Sequence, residues 1–420
     1  MRWTRDDRHA TQISLLCGAT VAGYPAVAAL SSIFGFDNRL GSIAFRLALI
    51  AVCFTILLRL RLTHPKRARI GIWFPLMFFW MLYLARVVWD AYLASNPLSR
   101  EPYFYLVFAL GSCLIPMMAF MVGLRTNERM LDRAREATVF MVTAASAAVL
   151  WVFYNSTQLQ LSTQRMQLDA LNPISVGHLG GSLVILSIFC LFQGRKRLRN
   201  QLVYWVALPI GMVLLVSSAS RGPVLATALA LGAYAMARLG SRRGLISALF
   251  IGVFFVGGAW LASFVEGQMG FSSVSRIVGL IELGGSDLTA SIRLSLMRTA
   301  WAEFLSSPLV GSGLEGHRVG FYPHNAIVEA FMATGIVGGI ALLAVLASAG
   351  LSAWRLLTQQ AGSGWTALLC IQYIVAAQFS GALWGAGAMW SFIGAVFAVS
   401  TTKRFAPRAT TPQTAAATQG

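Results

Sequence analysis

Runs of roughly 20 apolar residues return from one end of the chain to the other, separated by short polar connections. A helix of that length crosses the hydrocarbon core of a bilayer while satisfying its own backbone hydrogen bonds. The pattern predicts an all-α, polytopic helical membrane protein of about 12 spans. Their expected limits are 11–33, 41–60, 72–94, 103–124, 137–155, 174–193, 202–218, 222–238, 245–265, 324–350, 365–382 and 387–402. Two connections are longer than a turn requires, Asn155 to Pro173 and Glu266 to Pro323. Within the second, Thr289 to Leu305 has helical periodicity. Ile292, Leu296, Met297, Ala300, Trp301, Phe304 and Leu305 share an apolar face, with Arg293 and Arg298 near its edge. Pro308 and Gly311-Ser312-Gly313 end that helix, which is suited to lie on a membrane surface or to cap a cavity between spans. The expected organisation is one membrane domain over 1–420, with a large outer loop at 266–323. A disordered tail rich in Ala, Thr and Gln is expected over 408–420.

Composition agrees: 57% of the residues are hydrophobic and 11% charged, where a soluble domain carries about 25% charged residues. The formal charge of +18 would suggest nucleic acid in a soluble protein, but here its distribution excludes that partner. Basic residues gather in alternate short connections: Arg2, Arg5 and Arg8; Arg59 to Arg69; Arg125 to Arg135; Arg195 to Arg199; Arg238 to Arg243; Arg355; and Lys403, Arg404 and Arg408. All three lysines, Lys66, Lys196 and Lys403, belong to this set. Such connections face the cytoplasm, so both termini are expected there and the first apolar run reads as a span rather than a cleaved leader. The five cysteines all fall inside apolar runs without paired spacing, as small packing residues do.

The opposite connections hold isolated arginines, among them Arg165, Arg221, Arg276, Arg293, Arg298 and Arg318. Arg221 sits in Ser217-Ser218-Ala219-Ser220-Arg221-Gly222-Pro223, where small residues permit close approach of a ligand and a guanidinium can grip a phosphate. Arg293 lies near the start of the expected loop helix. His324, one of five histidines, follows Pro323 at the start of an apolar run, with Asn325 and Glu329 on one helical face. A neutral imidazole there suits a general base toward a sugar hydroxyl, and a helix N-terminus favours a nearby anion. Arg165, Arg298, Asn325 and Glu329 are further possible substrate contacts. His178, beside Gly177 and Gly180, reads as a packing or hydrogen-bonded histidine, and Arg86 with Asp90 as a helical ion pair. Gly335 and Gly338 read as sites of close helix packing. No zinc motif, phosphate-binding loop with lysine or paired acidic metal motif is present, so no metal and no cofactor is expected. Ser312 sits in a turn outside the spans, which argues against an intramembrane serine protease.

His324-Asn325, nine residues, Gly335, two residues and Gly338 together match in full a signature of the O-antigen ligase and polymerase superfamily. Ser220-Arg221-Gly222 resembles the same family's turn at the outer end of a span. Arg293, Trp301 and Ser307-Pro308-Leu309-Val310-Gly311-Ser312-Gly313 resemble its Arg-bearing helix and the turn that follows. The resemblance covers about 217–340. It implies a metal-independent glycosyltransferase of the bacterial inner membrane, working at the periplasmic face. Its donor would be a glycan on undecaprenyl pyrophosphate. Its acceptor would be lipid A–core for a ligase, or another lipid-linked repeat for a polymerase, and the complete signature with the large loop before it favours the ligase. On the same resemblance Arg221 and Arg293 would hold the pyrophosphate and His324 would activate the acceptor hydroxyl. A lipid-linked glycan flippase or a transporter is a distant alternative, since neither repeated halves nor a set of intramembrane carboxylates is evident.

Overall fold

The computed structural model describes residues 5–61, 70–94, 98–124, 127–155, 168, 170–193, 198–238, 249, 252, 288–317, 319–359 and 362–402. Nearly all of the expected span at 245–265, the loop from 266 to 287, Arg165, Arg276, Arg318 and the tail at 408–420 lie outside these residues.

The apolar runs fold as helices: α1 (Arg5–Phe34), α2 (Asn38–Arg61) and α3 (Ile70–Val88), the last continued by a π-helical turn, Trp89–Leu93. Next, α4 (Pro102–Leu106) passes through a π-helical stretch, Val107–Leu114, into α5 (Ile115–Gly123). They are followed by α6 (Glu128–Asn155), α7 (Pro173–Phe192), α8 (Leu198–Ser217) and α9 (Arg221–Met236). The loop helix α10 (Leu288–Ser306) precedes α11 (Ala326–Thr358), α12 (Gly364–Ala376) and α13 (Gly387–Thr402). Among the described residues, seven helices are long and apolar enough to cross a membrane, and Gln201–Ser217, Gly364–Ala376 and Gly387–Ser400 are shorter apolar helices. The described residues are those of an all-helical membrane protein.

Its two surfaces are inverted relative to a soluble fold. Leu47, Phe54 and Leu58 on α2 and Leu202, Val203 and Val206 on α8 point outward, exposed, as lipid-facing positions do. Inside, aromatic rings interlock: Trp80 of α3 lies 4.8 Å from Trp390 of α13, and Phe79 5.6 Å from the same ring. Between helices already in lipid this shape complementarity, rather than removal of apolar surface from water, supplies the attraction. α1 packs along α6, α7 along α8, and α13 along α5, while α11 packs on α3, α10 and α12.

The ends of the helices are set by local chemistry. Asn172 caps α7 by accepting the Ser175 amide at 2.8 Å, with Pro173 at the first helical position. Asn325 caps α11 in the same way, accepting from the Val328 amide at 2.9 Å. The expected loop helix at 289–305 is present as α10, but its apolar face is only partly covered. Ala300 and Phe304 are buried, and Phe304 meets the Phe331 ring at 5.2 Å, whereas Ile292, Trp301 and Leu305 are exposed.

Candidate functional site

A cavity of about 360 Å³ opens where α7, the turn before α9, α10, the residues before α11 and the segment after α12 converge. Arg221, Arg293 and His324 all line it, and so does His178. Residues more than a hundred positions apart in sequence are thus gathered around one space.

Arg221 is the first residue of α9, so its guanidinium stands at a helix N-terminus, where unpaired amides and the helix dipole favour an anion. The preceding turn is held by the Ser218 hydroxyl, which donates to the Leu215 carbonyl at 2.7 Å, and by the Ser220 hydroxyl, which donates to the Ser218 carbonyl at 3.0 Å. Arg293 reaches in from α10 and donates to the Phe379 carbonyl at 3.0 Å. His324 stands two residues before α11, beside Tyr322 at 4.6 Å and Phe321 at 5.4 Å between ring centroids.

Among the described residues two non-glycine residues have positive φ, Ala219 at 46° and His324 at 57°, and both line this cavity. The left-handed region costs an L-residue about 1–2 kcal/mol, and such strain gathers where the backbone must present a group to a ligand. The Nδ1 of His324 is buried without a hydrogen-bond partner. Burial, and after it the Arg293 charge, push this imidazole down from near 6.5 to about 4. It is therefore neutral at pH 7, with a lone pair able to receive a proton.

The remaining expected contacts are placed differently. Asn325 caps α11 and donates from Nδ2 to the Gln378 carbonyl at 3.2 Å, next to the cavity rather than on its lining. Glu329 is fully buried behind it. It accepts from the Tyr83 hydroxyl at 2.8 Å, and its two oxygens accept from the Leu383 amide at 3.0 and 2.9 Å. Its carboxylate ties α3 to the turn before α13. Arg298 is exposed on α10 and does not line the cavity.

The turn after α12 escaped the sequence reading. The Ala326 amide donates to the Ala377 carbonyl at 3.0 Å, Asn325 donates to Gln378 and Arg293 to Phe379. Three successive carbonyls thereby fix the elements that carry His324 and Arg293. Polar Gln378 and Ser380 at the end of an otherwise apolar run were the signal. His178, read as packing, also belongs to the lining.

Gly335 does more than allow helices to approach. Its φ of 68° and ψ of −168° break α11. The Ile336 amide, cut off from the Met332 carbonyl, donates instead to the Pro308 carbonyl, and the Met332 carbonyl receives the Ser312 amide, each at 2.8 Å. The loop after α10 thus inserts its own groups into the broken turn, and any Cβ on Gly335 would collide with the Leu309 carbonyl oxygen. Arg86 closes the assembly. It pairs with Asp90 at 3.3 Å as expected, and it also donates to the carbonyls of Ala333 at 2.7 Å, Val310 at 2.5 Å and Gly311 at 2.9 Å. Asp90 in turn accepts the Leu314 amide at 2.7 Å. Among the described residues no group of three or more His, Cys, Asp or Glu side chains is arranged to hold a metal ion.

Residues 205–343 match the family model described as O-antigen ligase, a segment that includes Arg221, Arg293, His324, Gly335 and Gly338. No curated protein matches the chain.

Proposed function

We propose that this chain, whose residues 205–343 match the family model described as O-antigen ligase, is a ligase of that superfamily. It transfers a glycan from undecaprenyl pyrophosphate to a sugar hydroxyl of lipid A–core at the periplasmic face of the bacterial inner membrane. The family match supports the coarser part of this reading, a membrane glycosyltransferase acting between a lipid-linked glycan and a lipid acceptor. The observation that carries the rest is the convergence of Arg221, Arg293 and a neutral His324 on one cavity.

Each group has a chemical task in that reading. Arg221 and Arg293 hold the two phosphates, and their charge favours the electron pair that moves onto phosphate oxygen as the sugar–oxygen bond breaks. The acceptor hydroxyl oxygen forms the new bond to the same sugar carbon, and its proton passes to His324. A pyrophosphate so held is already a competent leaving group, so the reaction needs no metal. The twelve-span arrangement, the periplasmic placement of the 266–323 loop and the cytoplasmic termini belong to the same proposal. Arg165, Asn325, Glu329 and Arg298 have secondary parts in it, with Asn325 and Glu329 positioning the start of α11.

Reconstitution tests it. Purified protein in vesicles receives undecaprenyl-pyrophosphate glycan with lipid A–core, or with further donor alone. Glycan on the core is the expected product. A lengthening lipid-linked ladder would assign a polymerase instead, and no transfer in either case would overturn the enzyme reading. A reporter fused between 266 and 287 should read as periplasmic, and a cytoplasmic signal would overturn the topology.

A further inference from the structure

The cavity holds a second imidazole. His178 lies on the second turn of α7, and it lines the same space as Arg221, Arg293 and His324. Its position is built. The His178 carbonyl accepts from Gln372 Nε2 at 3.2 Å, and the Gln372 amide oxygen accepts from the Ser182 hydroxyl at 3.0 Å, which locks α7 to α12. One residue earlier, Gly177 lets α7 come so close to the Arg221 turn that an added Cβ would stand 2.6 Å from the Ser218 hydroxyl oxygen and 2.8 Å from Pro223. The backbone of His178 is therefore held from one side and pressed against the arginine turn on the other. Its Nδ1, however, is buried with no hydrogen-bond partner. A histidine used for packing would satisfy that nitrogen within the protein or be replaced by an apolar ring. Two orphaned imidazole nitrogens, those of His178 and His324, thus belong to residues that line one cavity.

Charge counting says what is missing there. A pyrophosphate esterified at both ends carries one negative charge per phosphate, which the two arginines match. When the sugar departs, its bonding electron pair stays on the oxygen it leaves, and one further negative charge appears that neither arginine is spare to neutralise. His324, on the acceptor side, is occupied with the hydroxyl proton. We propose that His178 is the hydrogen-bond donor to that leaving oxygen, its imidazole N–H meeting the charge as it develops. This rests on the donor-site reading of the cavity. The sugar–oxygen bond breaks, its electron pair remains on phosphate oxygen, and His178 keeps its proton while donating the hydrogen bond. His178 lies outside the segment that matches the family, so its assignment stands on the cavity alone.

An interaction made only as charge develops lowers kcat and spares donor KM when it is removed. The test uses the full-length protein in vesicles, with His178→Phe to keep the ring without its N–H and His178→Gln to restore a donor. Steady-state transfer is measured together with inhibition by undecaprenyl pyrophosphate, the fully charged product. The Phe variant is expected to lose about 10²-fold in kcat and to leave donor KM within about threefold. It should also be inhibited about tenfold more weakly by product, and the Gln variant should recover most of both. Unchanged kcat and product inhibition in the Phe variant would overturn the proposal. So would losses in both variants that follow a fall in folded protein. Arg221→Ala serves as the reference. If it alters neither donor KM nor product inhibition, the donor-site reading itself fails, an outcome distinct from a failure of His178 alone.

Discussion

Two charged regions meet at α11. On one side, Arg221, Arg293, His178 and His324 surround a cavity, with two imidazole nitrogens unpartnered and two residues in strained backbone. On the other, Arg86, Asp90 and Glu329 are enclosed by protein, and carbonyls, amides or the Tyr83 hydroxyl meet their polar groups. Buried charge is costly unless paired, and pairing inside the protein consumes the valences a ligand would use. The second region is therefore a brace and the first the proposed site. Type of residue does not distinguish them, since each has arginine. What separates them is whether the protein itself completes the hydrogen bonding.

That contrast is broken most sharply by substitution in the cavity. Arg221→Ala and His324→Ala should each reduce glycan transfer by about 10³-fold while the purified proteins melt like the wild type, read by parallel transfer and thermal-unfolding measurements. Full activity in either variant would remove that residue from the mechanism. Arg86→Ala should do the reverse. It removes the cation that meets Asp90 and the carbonyls of Ala333, Val310, Gly311 and Ser312 and should destabilise the fold by about 3 kcal/mol, seen as an earlier melt in detergent. An unchanged melt would remove the brace.

Gly335→Ala should cost about 2 kcal/mol, because it places a Cβ against the Leu309 carbonyl at a positive φ. Loss of transfer in this variant should track loss of folded protein. The smallest effect expected is with pH. Burial and the Arg293 charge lower the His324 value to about 4, so its neutral form persists as pH falls and is lost only when pH passes through that value. The ratio kcat/KM, which reports the free enzyme, should stay level from pH 7.5 to 5.5. A decline centred near 6.5 would show an imidazole that is neither buried nor near a cation.

Much of this was legible from local pattern. The apolar helices and the loop helix follow from periodicity, read within a few residues, whereas Asn325, read as a possible substrate contact, serves as the cap of α11. The Arg86–Asp90 pair was legible as a four-residue spacing, but its carbonyl contacts were not, because Val310 and Gly311 lie more than two hundred positions away. Glu329 shares a face with Asn325 and looked equally available to substrate, yet Tyr83 and Leu383 enclose it. His178 and the Ala377–Ser380 turn sat inside apolar runs, where a polar residue reads first as packing.

The sequence by itself determined the membrane-helical class, the order of the helices and the family signature at His324, because hydrophobic length and local spacing act over one or two turns. The tertiary structure alone decided which polar groups face a cavity and which face one another. Satisfaction of a hydrogen bond depends on the partner brought in from elsewhere, and no spacing along the chain encodes that.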